Sequence, residues 1–228
     1  MSPELLQLTS QELSIINTIR NIVHEKLSGE STGHDWFHVE RVWNMARKIA
    51  SEEGKPANMF VAEGAALLHD VADWKFHDGD LTVGPTMASS LLQEQNVDPA
   101  TVDSITRIIE EMSYKGSHVK TPMSTYEGEI VQDADRLDAI GAIGIARVFA
   151  YGGKKGKPIY DPNIPPITHH SFEEYRNGGR TSINHFREKL LRLRDLMNTK
   201  TGFKIAEGRH QFLELYLARF LQEWEGLL

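Results

Sequence analysis

His38, the adjacent pair His69-Asp70, and Asp135 lie on three separate stretches that each read as helical. Two imidazoles and two carboxylates gathered at one point would hold a divalent cation and leave room on it for water. Nothing else in the chain points as firmly at chemistry. His69-Asp70 closes an apolar helix at Leu67-Leu68-His69-Asp70. Neighbouring side chains diverge by ~100° on a helix, yet at a helix end both can turn toward one ion. A buried ionised Asp beside a His is costly unless it is paired or coordinated. The alternative is a helix-end Asp that hydrogen-bonds a core histidine. His38, in HDWFHVERV, faces the same two readings, ligand or satisfied core residue. Asp135, in VQDADRLDAIGAIGIAR, shares a face with Val131, Asp138 and Ala142 of an otherwise apolar helix, and an acid there needs a partner. Asp133 stands ~200° from it around the axis, so regular helix cannot aim both at one ion.

The elements that must position these groups read as helix after helix. Thr9-Ser10-Gln11-Glu12 offers a capping box before the stripe Leu13, Ile16, Ile19, Val23, with Gly29 as a stop. A second helix is expected from about Phe37 to Glu53, ending at Gly54, and a third from about Ala57 to Asp70. The third carries Ala62, Ala65 and Ala66, small residues that let helices approach closely, so it belongs at the centre. Pro85 and Asp98-Pro99 mark two more helix starts. One long helix is expected over about Thr125 to Ala150, apolar nearly all round as a buried helix should be. Tyr151 to Gly179, rich in Gly, Pro and Lys, breaks the pattern, and a loop of that length inside a compact domain is usually functional or mobile. Helices over about Ser182–Asn198 and Thr201–Trp224 close the chain. No stretch alternates with period 2, so the expected fold is all-α, a helical bundle with a long Gly/Pro/Lys loop before two C-terminal helices.

A chain of 228 residues buries enough surface to fold without staples and is expected to form a single domain, its core at about 24–150 and a C-terminal helical part at about 180–226. The absence of cysteine excludes disulfides and thiolate ligands, so any metal must be held by His and carboxylate. The opening stretch lacks a basic region followed by an apolar run, and no segment approaches a membrane span, so a cytoplasmic protein with no membrane partner is expected. A net charge of −7 argues against nucleic-acid binding, though a few local cations could still hold a free nucleotide. Phe212, Leu215, Phe220 and Trp224 on the last helix would serve either as core or as a homodimer surface.

The order H…HD…D on three apolar helices resembles the HD-domain metal-dependent phosphohydrolases. The segments HDWFHVERV, AALLHDVADWKF, VQDADRLDAIGAIGIARVFAYGG and INHFREKLLRLRDLMNTKTGFKIAEGRH are similar to small HD hydrolases that cleave nucleoside triphosphates. That resemblance implies His38, His69, Asp70 and Asp135 as ligands, Asp135 because it directly precedes Arg136. Such a donor set suits one Mn²⁺, with Fe²⁺, Co²⁺, Ni²⁺ or Zn²⁺ as other occupants, over Mg²⁺. The implied reaction is attack of metal-bound water on a nucleoside or deoxynucleoside triphosphate, releasing monophosphate and pyrophosphate. A nucleoside monophosphatase or other phosphoesterase is the alternative, and a nucleotide-sensing module the non-enzymatic one.

Asp73, four residues after His69, is the expected general base or water-orienting group, supported by Asp78, against the reading that both are solvated loop acids. Lys75, Lys154 and Lys155, with Lys157 beside them, are placed to clamp a polyphosphate, although lysines of a surface loop are also simply solvated. Asn184, His185 and Lys189 begin a late helix, where free backbone N–H groups favour an anion. Arg136 and Arg41 are expected beside Asp138 or Glu40, and Trp36 and Trp74 in the core or against a base. His34 and His38 at i, i+4 also imitate the zinc-protease motif with Asp35 in place of Glu, a rival that leaves His69-Asp70 and Asp135 unexplained. His34 and Asp35 are otherwise expected to contact substrate or to support the ligands.

Overall fold

The computed structural model describes residues 7–29, 33–72, 80–114, 116, 119–171, 173–174 and 181–228. These residues are helical without a strand, the all-α class that the periodicity predicts. They fall into two compact units, one built from 1–30, 34–113 and 121–134, the other from 31–33, 114–120 and 135–228.

Unit 1 holds α1 (Ser10–Leu27), α2 (Trp36–Glu53), α3 (Met59–Leu68), α4 (Val83–Glu94), α5 (Pro99–Glu111) and the first part of α6 (Tyr126–Asp138). The predicted capping box forms: the Thr9 hydroxyl accepts from the Glu12 N–H, and the Glu12 carboxylate reaches back to the Thr9 N–H. Gly54, in the left-handed conformation, closes α2. α3 packs against α1, α2 and α5, and all ten of its residues are buried, as expected of a helix apolar all round. Its small residues are what permit this. A Cβ on Gly64 would stand 2.9 Å from Ile105 Cδ1 on α5.

Unit 2 holds the end of α6, α7 (Gly141–Lys154), α8 (Ser182–Glu188) and α9 (Lys200–Trp224), with two 3₁₀ turns at Leu190–Arg192 and Arg194–Leu196. Three sequence expectations are corrected here. The single long helix over 125–150 is two helices. Ile140 is extended, Gly141 takes φ +78°, and the α7 start lies so close to the Ala139 carbonyl that Gly144 has no room for a Cβ. The helix expected over 182–198 stops at Glu188, where Lys189 leaves helical geometry (φ −135°, ψ −60°). Leu190 and Leu193, both buried, are three apart, and the 3₁₀ turns eclipse i with i+3, aiming both side chains inward. The loop expected from Tyr151 also begins later. α7 runs to Lys154, and Gly156 at φ +64° lets the Lys157 N–H bond the Gly152 carbonyl. Among the described residues no helix is long and apolar enough to cross a membrane.

Candidate metal centre

Three groups of the expected site come together in unit 1, and a fourth joins them. α2 begins at Trp36, capped by Asp35, whose carboxylate accepts the His38 backbone N–H at 2.8 Å. The cap therefore does two things at once. It satisfies a free donor of the first turn, and it fixes the backbone from which the His38 ring projects. With its carboxylate engaged there, Asp35 does not stand where the zinc-protease motif needs a base.

His69 ends α3 in helical geometry, and its Nδ1 lies 2.8 Å from the Ala66 carbonyl. A carbonyl only accepts, so the proton sits on Nδ1 and the Nε2 lone pair is left to face the site. That Nε2 lies 3.1 Å from His38 Nε2, the two rings being perpendicular neighbours at 5.1 Å. Asp70 Oδ2 stands 3.2 Å from His38 Nε2 and 3.8 Å from His69 Nε2. His34 Nδ1 approaches the same oxygen at 2.8 Å. His38 and His69 are buried, with His34 and Asp70 only slightly exposed.

Burial alone would raise the Asp70 carboxyl. The electrostatic influence of the His69 and His34 imidazoles, with hydrogen bonds from His34 and His38, outweighs it and holds the group well below the ordinary carboxylate range. Asp70 is thus a charged acceptor at any working pH, facing ring nitrogens at spacings that suit a cation. The donor set fits a divalent metal: borderline nitrogen and carboxylate ligands, one imidazole already locked in the ligating tautomer.

Asp135 stands on α6, one turn beyond the buried Val131, and opens the last stretch of unit 2, 135–228. Asp138, a turn further, takes a 2.9 Å bond from Arg147 Nη1, a partner from α7 that the sequence reading did not name. Arg136 Nη1 donates to the Leu196 carbonyl. On α2, Glu40 faces Arg20 at 3.9 Å. Trp36 is core, its ring edge-on to His24 at 5.1 Å and under the Arg20 guanidinium at 5.7 Å.

The expected substrate groups fare differently. Asp73, Lys75, Trp74 and Asp78 lie outside the described residues. Lys154 and Lys155 are exposed at the C-terminal end of α7, where the helix dipole favours cations. Lys155 and Lys157 both set their ammonium 5.8 Å from the Tyr151 ring. Burial pushes Lys157 down, against the opposing pull of Glu188. Asn184 is buried in the first turn of α8 and donates to the Ile164 carbonyl at 2.8 Å, so it holds the preceding loop. Lys189 lies 5.0 Å over the Tyr114 ring.

Residues 36–140 match the HD domain family model. The Bacillus subtilis protein YpgQ is 37% identical over 219 residues, covering 95% of this chain and 97% of its own length. The chain belongs to the HD superfamily. A solved structure from Lactobacillus plantarum superposes with a TM-score of 0.84 at 39% identity, covering 96% of this chain and all of that one. An HD-superfamily hydrolase from Bacillus thuringiensis is 42% identical, with a TM-score of 0.70 over 94% of this chain and 98% of its own. YpgQ itself has been crystallised in complex with ADP, at a TM-score of 0.72 over 93% and 96% of the two chains. An HD domain implies a divalent metal, and the His/Asp cluster is the group in unit 1 that could hold it.

Proposed function

We propose that this HD-superfamily hydrolase is a metal-dependent phosphohydrolase that cleaves nucleoside or deoxynucleoside triphosphates to the monophosphate and pyrophosphate. The observation that carries the reading is the convergence of His38 Nε2, His69 Nε2 and Asp70 Oδ2, with His69 locked through Ala66 into the tautomer a metal needs. Asp135 is proposed as the remaining ligand on the strength of the H…HD…D order. A divalent ion in such a site polarises a phosphoryl oxygen and acidifies a water.

The chain's own residues supply the rest. Asp35 fixes the His38 backbone, and the strongly acidic Asp70 stays charged, so the site keeps its negative character and its orientation. Asp73 is proposed to take the proton of the attacking water, with Asp78 beside it. Lys75, Lys154 and Lys155 are proposed to bind the phosphates, Lys154 and Lys155 from an exposed helix end that presents positive charge. Asn184 and Lys189 are proposed as further substrate contacts at the start and end of α8. One water adds across the anhydride, the hydroxyl going to the phosphorus that is struck and the proton leaving through Asp73. A nucleotide ligand is supported by YpgQ, a relative crystallised with ADP.

A panel of mono-, di- and triphosphate nucleotides incubated with the Mn²⁺-loaded protein tests this, products being separated by chromatography. Monophosphate and pyrophosphate in equal amounts are expected. Triphosphates left intact while monophosphates lose phosphate would replace the proposal with a nucleotidase, and binding without turnover would replace it with a sensor.

A further inference from the structure

The HD match starts at residue 36, so His34 lies outside it. Its ring nevertheless stands in the cluster. One ligand atom from each of His34, His38 and Asp70 lies within 4.8 Å of the others, and the rings of His34 and His38 are 5.7 Å apart, nearly perpendicular. We infer that His34 is a direct ligand of the metal through Nδ1, which makes the site three histidines and two aspartates. The inference rests on the metal reading above and deepens it.

The spacings favour ligation. With metal–ligand bonds of about 2.1 Å, two donors at right angles on an ion stand ~3.0 Å apart. The pairs His34–Asp70, His38–His69 and His38–Asp70 measure 2.8, 3.1 and 3.2 Å. Three of the separations among the four donor atoms therefore match those of neighbouring corners, while His69 Nε2 and Asp70 Oδ2 stand wider at 3.8 Å. The choice of oxygen decides between ligand and outer partner. A side chain that merely orients a ligating carboxylate can use the oxygen turned away from the ion, whose lone pairs are free. His34 instead approaches Oδ2, the oxygen that also faces His38 and His69. Local backbone holds it there. Gly33, at φ +83°, turns the chain into His34, and Asp35 immediately begins the capped helix.

Three imidazoles shift the ion preference toward the nitrogen-loving end of the series, Fe²⁺, Co²⁺ and Ni²⁺ gaining on Mn²⁺. They also leave one coordination position on a six-coordinate ion where four protein ligands would leave two. Affinity alone cannot test this, because an outer partner also costs about 10–100-fold when removed. Counting nitrogens can.

With Mn²⁺ as the only probe, pulsed EPR of the full chain counts coordinated imidazoles, and water-proton relaxation counts bound waters. Three imidazoles and one water are expected for the wild type, against two imidazoles and two waters for His34→Gln, which can still donate to Asp70. Circular dichroism of the metal-free variants checks that the helices persist, with His34→Ala as a second variant. Two imidazoles in both the wild type and His34→Gln would overturn the inference while leaving the metal site standing. Unchanged Mn²⁺ binding by His38→Ala would overturn both.

Discussion

Replacing Gly144 by Ala should destabilise the protein even though Ala is the better helix former. Built on the backbone, the added Cβ would stand 2.2 Å from the Ala139 carbonyl oxygen and 2.4 Å from its carbon. Real Cβ atoms essentially never come within 3.0 Å of another heavy atom, so the chain must open by roughly 0.8 Å. The obstacle is backbone and has no rotamer to swing away. The Ala139 N–H is also tied to the Asp135 carbonyl at 3.2 Å, so opening the turn pulls on the end of α6. Overpacking costs about 1–3 kcal/mol, and an immovable neighbour puts this case near the upper end. The Gly→Ala gain in helix propensity offsets about 1 kcal/mol of it. The net loss is then about 2 kcal/mol, or a fall of about 4–8 °C in Tm for a chain of this size. Gly208→Ala is the matched control. That glycine is exposed in the middle of α9 with nothing within 4 Å, so the same substitution should raise Tm by about 1–4 °C. Thermal unfolding followed by far-UV circular dichroism reads both. A Gly144→Ala protein that melts at or above the wild type would refute the packing of α7 against Ala139.

Further outcomes follow from the same geometry. Asp35→Ala removes the α2 cap and should cost about 1 kcal/mol and weaken Mn²⁺ binding through His38, while Asp35→Asn keeps both; calorimetric titration with equal affinities for all three would contradict the coupling. Burial raises the Glu63 carboxyl, against the Trp43 indole N–H bond at 2.7 Å and the charge of Arg47. Its contribution to stability is therefore present below the ordinary value of 4.5 and lost as pH rises through the higher folded value. Glu63→Gln, which keeps an oxygen for Trp43, should gain on the wild type in urea midpoints from about pH 4 to about pH 7, and a constant gap would be evidence against it. Asp70 runs the other way. Its depressed folded pKa stabilises the metal-free protein above about pH 3.9 and is lost as pH falls through the folded value. In chelator, the wild type should lose stability more steeply below pH ~4 than Asp70→Asn, and parallel acid-unfolding curves would exclude the depressed value.

Much of unit 1 was legible because its signals are local. The Thr9–Glu12 box, the Gly54 stop and the alanine-rich α3 each carry their cause within a few residues, and the structure realises all three. The break between α6 and α7 was not legible, since apolar spacing continues through Ala139 and Ile140. Only a positive φ at Gly141 and the missing Cβ of Gly144 end the helix, and a glycine's need for either is invisible without its neighbours. The shortened α8 fails for a related reason: Leu190 and Leu193 fit an α-helical stripe and a 3₁₀ turn equally well. At the site, residue types and order pointed to His38, His69 and Asp70, but the features that bring them together and orient them are tertiary or cap geometry. The His69 bond to Ala66 and the Asp35 cap beneath His38 both follow from helix ends whose bounds sequence places only to within a residue or two. His34 was read as a substrate contact or a support for the ligands because a histidine before a helix has no periodicity to betray what it faces. Its 2.8 Å approach to Asp70 is a fact of folding.

Anomalous scattering from a Mn²⁺-soaked crystal locates the ion directly. It is expected about 2.0–2.4 Å from His38 Nε2, His69 Nε2, Asp70 Oδ2 and a carboxylate oxygen of Asp135. A fully occupied ion elsewhere in the molecule, with His38 and His69 bound only to each other and to Asp70, would contradict the assignment of this cluster as the metal centre.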